Sequence, residues 1–114
     1  MIAKINKYPK ASSIRTVCRI SHNPIKAWRL AEDFIVPIAK IKNIKYPNDV
    51  PRQLLPDTFV QTGHIDIIRY KTLMNNQFSG KKVLPYIIDE KFFIDIDNIK
   101  DFKLANKKLK KSKL

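Results

Sequence analysis

The sequence predicts a single small domain of the α/β class. Apolar and polar residues alternate in "SSIRTVCRI", residues 12–20, as they do in a strand. Apolar residues also recur at helical spacing between Ile99 and Leu109. Short strand and helix patterns mix between these segments without a regular βαβ rhythm, so α+β remains an alternative. The 114 residues suffice for one domain with a core.

The first elements are a short helix and a strand. We predict a helix over residues 1–8, because Ile2 and Ile5 share one face and Pro9 ends it. Residues 12–20 form a strand in which β-branched side chains dominate. That composition favours an internal position in the sheet.

The next elements form a hairpin and a loop. Residues 25–30 and 33–39 are two short apolar segments joined at "AED", which predicts two strands in a hairpin. Residues 40–56 are interrupted by three prolines, so we expect a loop or short helical turns there.

Strands and helices alternate in the second half. "FVQTG" leads into "HIDIIRY", residues 59–70, as a strand with Ile65 and Ile67 on one face. The pattern then predicts a helix over 71–78, an extended segment over 82–89 and a strand over 92–97. Pro85 in the extended segment suggests either an edge position or a bulge.

A final helix is predicted from Asn98. Ile99, Phe102, Ala105 and Leu109 form its apolar stripe. Asp97 or Asn98 can cap it, and Asp101 favours its first turn. Residues 106–114 form a lysine-rich tail that we expect to fray.

The chain is strongly basic, with a formal net charge of +13. This charge suggests an anionic partner, such as nucleic acid, a membrane surface or a phosphorylated small molecule. Six lysines lie in the last twelve residues, where a helix C-terminus favours them anyway. We interpret most of the charge as a solvated surface, which argues against nucleic acid and membrane.

The cysteine and glycine counts and the N-terminal residues indicate the cellular compartment and exclude one kind of phosphate site. Cys18 is the only cysteine, so no internal disulfide forms and a reducing compartment is expected. The N-terminal residues lack the apolar segment of a signal peptide, and no segment has the length of a membrane span. We therefore expect a cytoplasmic protein. The two glycines form no glycine-rich phosphate loop.

Asp95 and Asp97 are candidate metal ligands. If residues 92–97 form a strand, both carboxylates lie on one face, about 6.6 Å apart along the chain. Two such carboxylates can hold a Mg²⁺ ion that also takes phosphate oxygens and water. The alternative is the polar face of an ordinary strand, in which Ile94 and Ile96 pack in the core and Asp97 caps the following helix.

Three further segments contain candidate ligand-binding residues. Arg52 lies between prolines that stiffen its backbone, and with Gln53 it suits a carboxylate or phosphate; the alternative is a surface arginine. "QTGHID", residues 61–66, contains a glycine that permits close backbone approach to a ligand, or a simple turn. In "SHNPIKAWRL", residues 21–30, Trp28 and its basic neighbours suit stacking on a ligand, or a Trp in a core or interface.

Together these segments resemble the acylneuraminate cytidylyltransferases, also called CMP-sialic acid synthetases. The resemblance rests on "HNPIKAWRL", "PRQLLPDTFVQTGHIDIIR", "GKKVLPYIIDEKFFIDID" and "IKDFKLAN" in this order. It runs from about Ser12 to Ala105 and corresponds to the C-terminal half of the family. It implies half of a Rossmann-like nucleotide-diphospho-sugar transferase fold, with a mixed sheet and flanking helices.

The resemblance also implies an activity and a set of roles. The family transfers CMP from CTP to the anomeric hydroxyl of an acid sugar, such as a sialic or legionaminic acid, and releases pyrophosphate with Mg²⁺. Asp95 and Asp97 correspond to the metal pair, and Arg52 and Asp97 to catalytic residues. Arg52 also counts among the residues on the acid-sugar side, which are Lys26, Arg52, Gln53, Gln61, Thr62 and Gly63. Residues 22–51 correspond to a dimerisation lobe that places Lys26 near the partner's site, so a homodimer is expected.

The sequence departs from the family in two respects. Thr62 stands where asparagine is usual, which makes the identity of the sugar uncertain. The family's N-terminal half, with the loop that grips CTP, has no counterpart here. We therefore expect a truncated product or one part of a split enzyme with an N-terminal partner polypeptide, inactive alone. The alternatives are a small basic nucleic-acid-binding protein and a non-catalytic remnant.

Overall fold

The computed structural model of the chain describes residues 1–112. The chain divides into two compact units. Unit 1 comprises Met1–Cys18 and Gln61–Leu114, and unit 2 comprises Arg19–Val60. Residues 113 and 114, which end the predicted lysine-rich tail, lie outside the described residues.

The elements mix helices and strands, as the predicted α/β class requires. The strands are β1 Ser13–Arg19, β2 Trp28–Ala31, β3 Phe34–Pro37, β4 Phe59–Ile68 and β5 Val83–Ile87. The helices are α1 Ile2–Asn6, α2 Tyr70–Met74 and α3 Ile99–Ser112. Short 3₁₀ turns occur at Pro24–Lys26, Pro47–Asp49, Arg52–Leu54 and Glu90–Phe92. None of the helices within residues 1–112 combines the length and the apolar character that crossing a bilayer demands.

The main sheet is mixed and has the strand order β4-β1-β5. β5 runs parallel to β1, with Ser13 opposite Val83 and Val17 opposite Ile87. β4 runs antiparallel to β1. Arg69, the residue after β4, donates its backbone N–H to the carbonyl oxygen of Ser12, the residue before β1 (3.1 Å). The predicted internal position of β1 and edge position of β5 are confirmed.

The core of unit 1 lies where α1 covers the sheet. Ile5, Ala11 and Ile14 are buried together, with Met1, Ile67 and Leu84 packed against them. Arg69 fastens α1 to this core. Its Nε donates to the Ala11 carbonyl (2.8 Å) and its Nη2 to the Ile5 carbonyl (2.9 Å). A cation at the last carbonyls of a helix is favourable there.

Ser12 joins the elements that surround the start of β1. Its N–H donates to the Lys82 carbonyl (2.7 Å), and its own carbonyl accepts from the Thr72 hydroxyl (3.0 Å). Gly80 passes so close that a Cβ there would lie 2.3 Å from the Ser12 Cβ. Its φ of +72° is also one that side chains rarely adopt. Only glycine fits at this position.

Unit 2 contains the predicted hairpin, which is confirmed. β2 and β3 pair antiparallel, with Trp28 opposite Pro37 and Ala31 opposite Phe34. The two turn residues follow Ala31, and Glu32 takes a φ of +54°. The following loop carries short 3₁₀ turns, as its prolines suggested. Buried apolar side chains of this unit are Ile25, Pro47 and Leu55.

Two sequence predictions are corrected in unit 1. Residues 92–97 do not form a strand, and Ile96 is 52% exposed rather than in the core. A 3₁₀ turn capped by Asp89 occupies the start of the segment instead, where the Lys91 N–H donates to the Asp89 Oδ1 (2.9 Å). The backbone N–H of Lys91 has the largest effect on the Asp89 carboxyl and lowers its pKa. A hydrogen bond from the Lys91 side chain lowers this pKa further. The predicted helix over 71–78 ends at Met74, because Asn76 turns left-handed with a φ of +54°.

The predicted C-terminal helix is confirmed and Asn98 caps it. The Asn98 Oδ1 accepts from the N–H groups of Lys100 (2.9 Å) and Asp101 (3.1 Å). The Asp101 carboxylate in turn accepts from the Asp97 N–H (3.3 Å). The helix continues through Ser112, so the described part of the lysine-rich segment is helical.

The two glycines give a matched test of this packing. We expect Gly63→Ala to lower the free energy of unfolding by about 1 kcal/mol, because its φ of +70° is strained for alanine although the space is open. Gly80→Ala adds a collision with Ser12 and should cost about 3 kcal/mol or more. Urea denaturation of both variants measures the difference. Equal losses would contradict the close approach at Ser12.

Candidate functional site

A bulge in β4 opposite Thr16 contains Gly63. The Thr62 Oγ1 donates to the Thr16 carbonyl (3.2 Å), and the Ile65 N–H donates to the Thr16 Oγ1 (3.2 Å). The Thr16 hydroxyl itself donates to the Ile65 carbonyl (3.1 Å). Gly63 and His64 lie between these anchor points, and the left-handed φ of Gly63 lets the strand bulge there. Thr16, which is buried, thus fixes the predicted turn "QTGHID".

His64 links this bulge to the segment that precedes the two aspartates. Its Nε2 lies 2.9 Å from the Phe92 carbonyl oxygen. Because a carbonyl only accepts, we assign the hydrogen to the Nε2. The His64 ring also lies beside that of Phe93, with centroids 6.4 Å apart. Two of the segments predicted to carry chemistry therefore touch within unit 1.

Asp95 and Asp97 are exposed and follow this contact. Within residues 1–112, neither carboxylate accepts a hydrogen bond or forms an ion pair, although the chain is rich in lysine. No group of three or more His, Cys, Asp or Glu side chains in this part of the chain is arranged to hold a metal. Mg²⁺ is commonly held by one or two carboxylates together with phosphates and water, so the chemistry of these side chains suits it. The strand that was expected to align the two carboxylates on one face is absent from residues 92–97.

A cavity of about 670 Å³ adjoins His64 and Phe92. Its wall is mostly apolar, with polar groups from Thr16, His64 and Tyr86. A few polar groups in an apolar cleft are typical of small-molecule sites. The lining residues are Met1, Ile2, Ala3, Thr16, His64, Ile65, Ile67, Tyr86, Ile88 and Phe92.

Gln61 is held in a network that the sequence did not indicate. The Arg15 Nη1 donates to the Gln61 Oε1 (2.6 Å), and the Gln61 Nε2 donates to the Asp66 Oδ2 (3.2 Å). The Arg15 Nη1 and the Asp66 Oδ2 are 3.9 Å apart. The Gln61 amide is therefore oriented by a charge on each side. The alternation of each strand predicts on which face of that strand Arg15 or Asp66 lies. The two side chains come together only because β1 pairs with β4.

The other predicted site residues belong to unit 2. The Lys26 ammonium donates to the Asn48 carbonyl oxygen. Arg52 and Gln53 are exposed in a 3₁₀ turn, and their side chains make no hydrogen bond or ion pair within the described residues. The Asn48 side-chain amide is buried, and neither its Nδ2 nor its Oδ1 finds a partner in residues 1–112. Sequence reasoning did not identify Asn48, which has no local pattern.

Cys18 lies on the buried face of β1 and is fully buried. Burial raises the pKa of its thiol, and the Glu90 carboxylate adds to the effect. A protonated thiol in this position is a packing group rather than a nucleophile.

No protein-family model matches the chain, and no curated protein matches it. The likeness to the cytidylyltransferases therefore stays a prediction.

The pKa of Cys18 predicts a pH dependence of stability. An unfolded thiol ionises near pH ~8.5, whereas the folded thiol keeps its proton to higher pH. Stability should therefore fall as pH rises above about 8.5. Cys18→Ala should lose less stability than the native chain between pH 7 and pH 9.5, as measured by urea denaturation. The same loss in both proteins would contradict the raised pKa.

Proposed function

We propose that the chain forms the metal and acid-sugar side of a CMP-acid-sugar synthetase. Such an enzyme transfers CMP from CTP to a nonulosonic acid and releases pyrophosphate. The main support is the contact between the His64 Nε2 and the Phe92 carbonyl (2.9 Å), which joins "QTGHID" to the segment that leads to Asp95 and Asp97. The mixed sheet is compatible with half of a Rossmann-like fold, and a cytoplasmic location is part of the proposal.

The proposed roles follow the chemistry of each side chain. Asp95 and Asp97 would hold Mg²⁺, which when bound neutralises phosphate charge and orients the triphosphate for in-line attack. Arg52 would hold the sugar carboxylate through a bidentate contact, with Gln53 adding a neutral hydrogen bond. The anomeric oxygen would attack the α-phosphorus, and the bond to pyrophosphate would break.

The Gly63 bulge would shape the sugar pocket. Gln61 and Thr62 are held in place by Arg15, Asp66 and Thr16, so they need little reorganisation to contact a ligand. The Thr62 hydroxyl donates to the Thr16 carbonyl (3.2 Å), so its oxygen keeps its lone pairs to accept a hydrogen bond from a ligand.

We also propose that unit 2 forms a homodimer through the β2–β3 hairpin. Large apolar side chains on and beside this hairpin are exposed, including Leu30 at 79% and Phe34 at 74%. Exposed apolar clusters of this kind mark protein interaction sites. In a dimer, Lys26 would exchange its bond to the Asn48 carbonyl for contact near the partner's site.

The metal site can be tested on the isolated chain with Mn²⁺ as a paramagnetic probe. We expect Mn²⁺ to broaden the amide NMR signals around Asp95 and Asp97, and Asp95→Asn with Asp97→Asn to abolish this. The control Glu32→Gln/Asp33→Asn removes the same two charges from the hairpin turn of unit 2 and should leave the broadening intact. Because both aspartates are exposed, the double variant should keep its stability. Unchanged broadening in that variant would refute the metal assignment.

The dimer can be tested by light scattering after gel filtration. Phe34→Ser should convert a dimer into a monomer, since it removes an apolar side chain from the proposed interface. Phe78→Ser changes a side chain that is 72% exposed in unit 1 and should leave the dimer intact. A native chain that is monomeric at high concentration, or equal effects of the two variants, would contradict a hairpin interface.

A further inference from the structure

A second cavity of unit 1 is strongly basic. It has a volume of about 500 Å³ and lies at the start of β1. Four lysines and an arginine line it, together with the amide side chains of Asn75 and Gln77, and its lining includes no acidic residue. The lining residues are Pro9, Lys10, Ala11, Ser12, Arg69, Lys71, Thr72, Asn75, Gln77, Lys81 and Lys82. We call this cavity the lysine pocket.

The lysines of the lysine pocket form no ion pair with an acidic residue among residues 1–112. The ion pairs in this part of the chain involve Arg15, Arg19 and Lys91. Like charges gathered in a concave surface repel one another and create a positive potential. A bound anion would relieve this repulsion.

Arg69 gives the pocket a fixed cation. Its Nε and Nη2 donate to the carbonyls of Ala11, Ile5 and Tyr8, at 2.8, 2.9 and 3.3 Å. Its Nη1 makes no hydrogen bond within the described residues. The guanidinium is therefore held rigidly with donor capacity left over, which lowers the entropic cost of binding an anion.

The pocket adjoins a more apolar groove with which it shares four lining residues. This groove has a volume of about 400 Å³, and its lining adds Lys7, Tyr8, Val83 and Leu84. Pro9, Lys10, Ala11 and Lys82 line both cavities. A ligand that spans them would place its charge among the lysines and a less polar part beside Tyr8.

We propose that the lysine pocket binds a small phosphorylated molecule whose apolar part lies in the Tyr8 groove. Lysine ammonium groups, a fixed guanidinium and side-chain amides match the acceptor-rich surface of a phosphate. The volume is that of a small-molecule site. Single-stranded nucleic acid would require a groove that follows the backbone with successive stacking platforms, and Tyr8 is the single aromatic residue lining either cavity.

The lining of this pocket contains none of the candidate metal or sugar residues, and the proposal does not rest on the proposed function. Ser12 lines the pocket, whereas the bulge is bonded to Thr16, four residues further along β1. Along a strand this is about 13 Å. Lysines bind phosphate directly, so the pocket needs no metal ion.

Calorimetry with pyrophosphate in excess EDTA tests the charged part. We expect the native chain to bind, and the variant Lys10→Gln/Lys71→Gln/Lys82→Gln to bind at least about tenfold more weakly. The control Lys103→Gln/Lys107→Gln/Lys110→Gln loses the same charge from α3 and should keep native affinity. Unaltered circular dichroism would show that both variants fold.

Three results of these binding experiments would contradict the lysine-pocket proposal. No binding of pyrophosphate by the native chain would contradict a phosphate site. Equal weakening in both triple variants would mean that binding depends on the net charge of the chain and not on the pocket. An oligonucleotide that depends on the pocket lysines and outcompetes pyrophosphate would assign the surface to nucleic acid. Loss of Asp95 and Asp97 should leave pyrophosphate binding in EDTA unchanged, so failure of the two proposals is distinguishable.

The Tyr8 groove has its own test. Phenyl phosphate should bind more tightly than inorganic phosphate, and Tyr8→Ala should remove this preference. Equal affinities for the two phosphates in the native chain would reject the groove as part of the site.

Discussion

The hydrogen bonds of Ser12 position the elements of unit 1. Its N–H reaches the Lys82 carbonyl before β5, and its carbonyl accepts from the Arg69 N–H (3.1 Å) after β4 and from the Thr72 hydroxyl in α2. Ser12 Oγ accepts from the Lys82 N–H as well (3.3 Å). One residue thus fixes both neighbours of β1. The close passage of Gly80 follows from this arrangement, since the chain must turn beside Ser12 to enter β5.

The fold leaves much apolar surface without cover. Few apolar side chains in either unit are fully buried, while large side chains such as Ile65, Phe102 and Leu30 are at least half exposed. A three-stranded sheet with one short helix over its core buries little apolar area, and small cores of this kind contribute little stability. The small buried area supports the proposal that the chain binds a second copy of itself or another polypeptide.

Sequence patterns predicted the elements whose formation depends mainly on neighbouring residues. Alternation identified β1, the apolar pairs beside "AED" identified the hairpin, and Asn98 identified the start of α3, because each depends on neighbouring residues. The strand expected at residues 92–97 is absent from the described structure, because a strand needs a neighbour, and alternation says nothing about whether one is available. The same limit applies to the sites. The aspartate pair is visible as a motif, whereas the Arg15–Gln61–Asp66 network and the lysine pocket are assembled by strand pairing from residues more than forty positions apart.

The two candidate sites of unit 1 would meet an anion in different ways. Asp95 and Asp97 repel a phosphate unless a cation intervenes, so any role with CTP requires a metal ion. The lysines around Arg69 attract a phosphate without help. In a chain of net charge +13, pairing these acids with nearby lysines would have been easy, yet Asp95 and Asp97 form no ion pair within residues 1–112. An exposed ion pair contributes only about 0–1 kcal/mol, so leaving two exposed carboxylates unpaired costs little. The choice between a metal site and an ordinary polar surface therefore depends on whether Mn²⁺ binds there and whether Asp95→Asn/Asp97→Asn abolishes the binding.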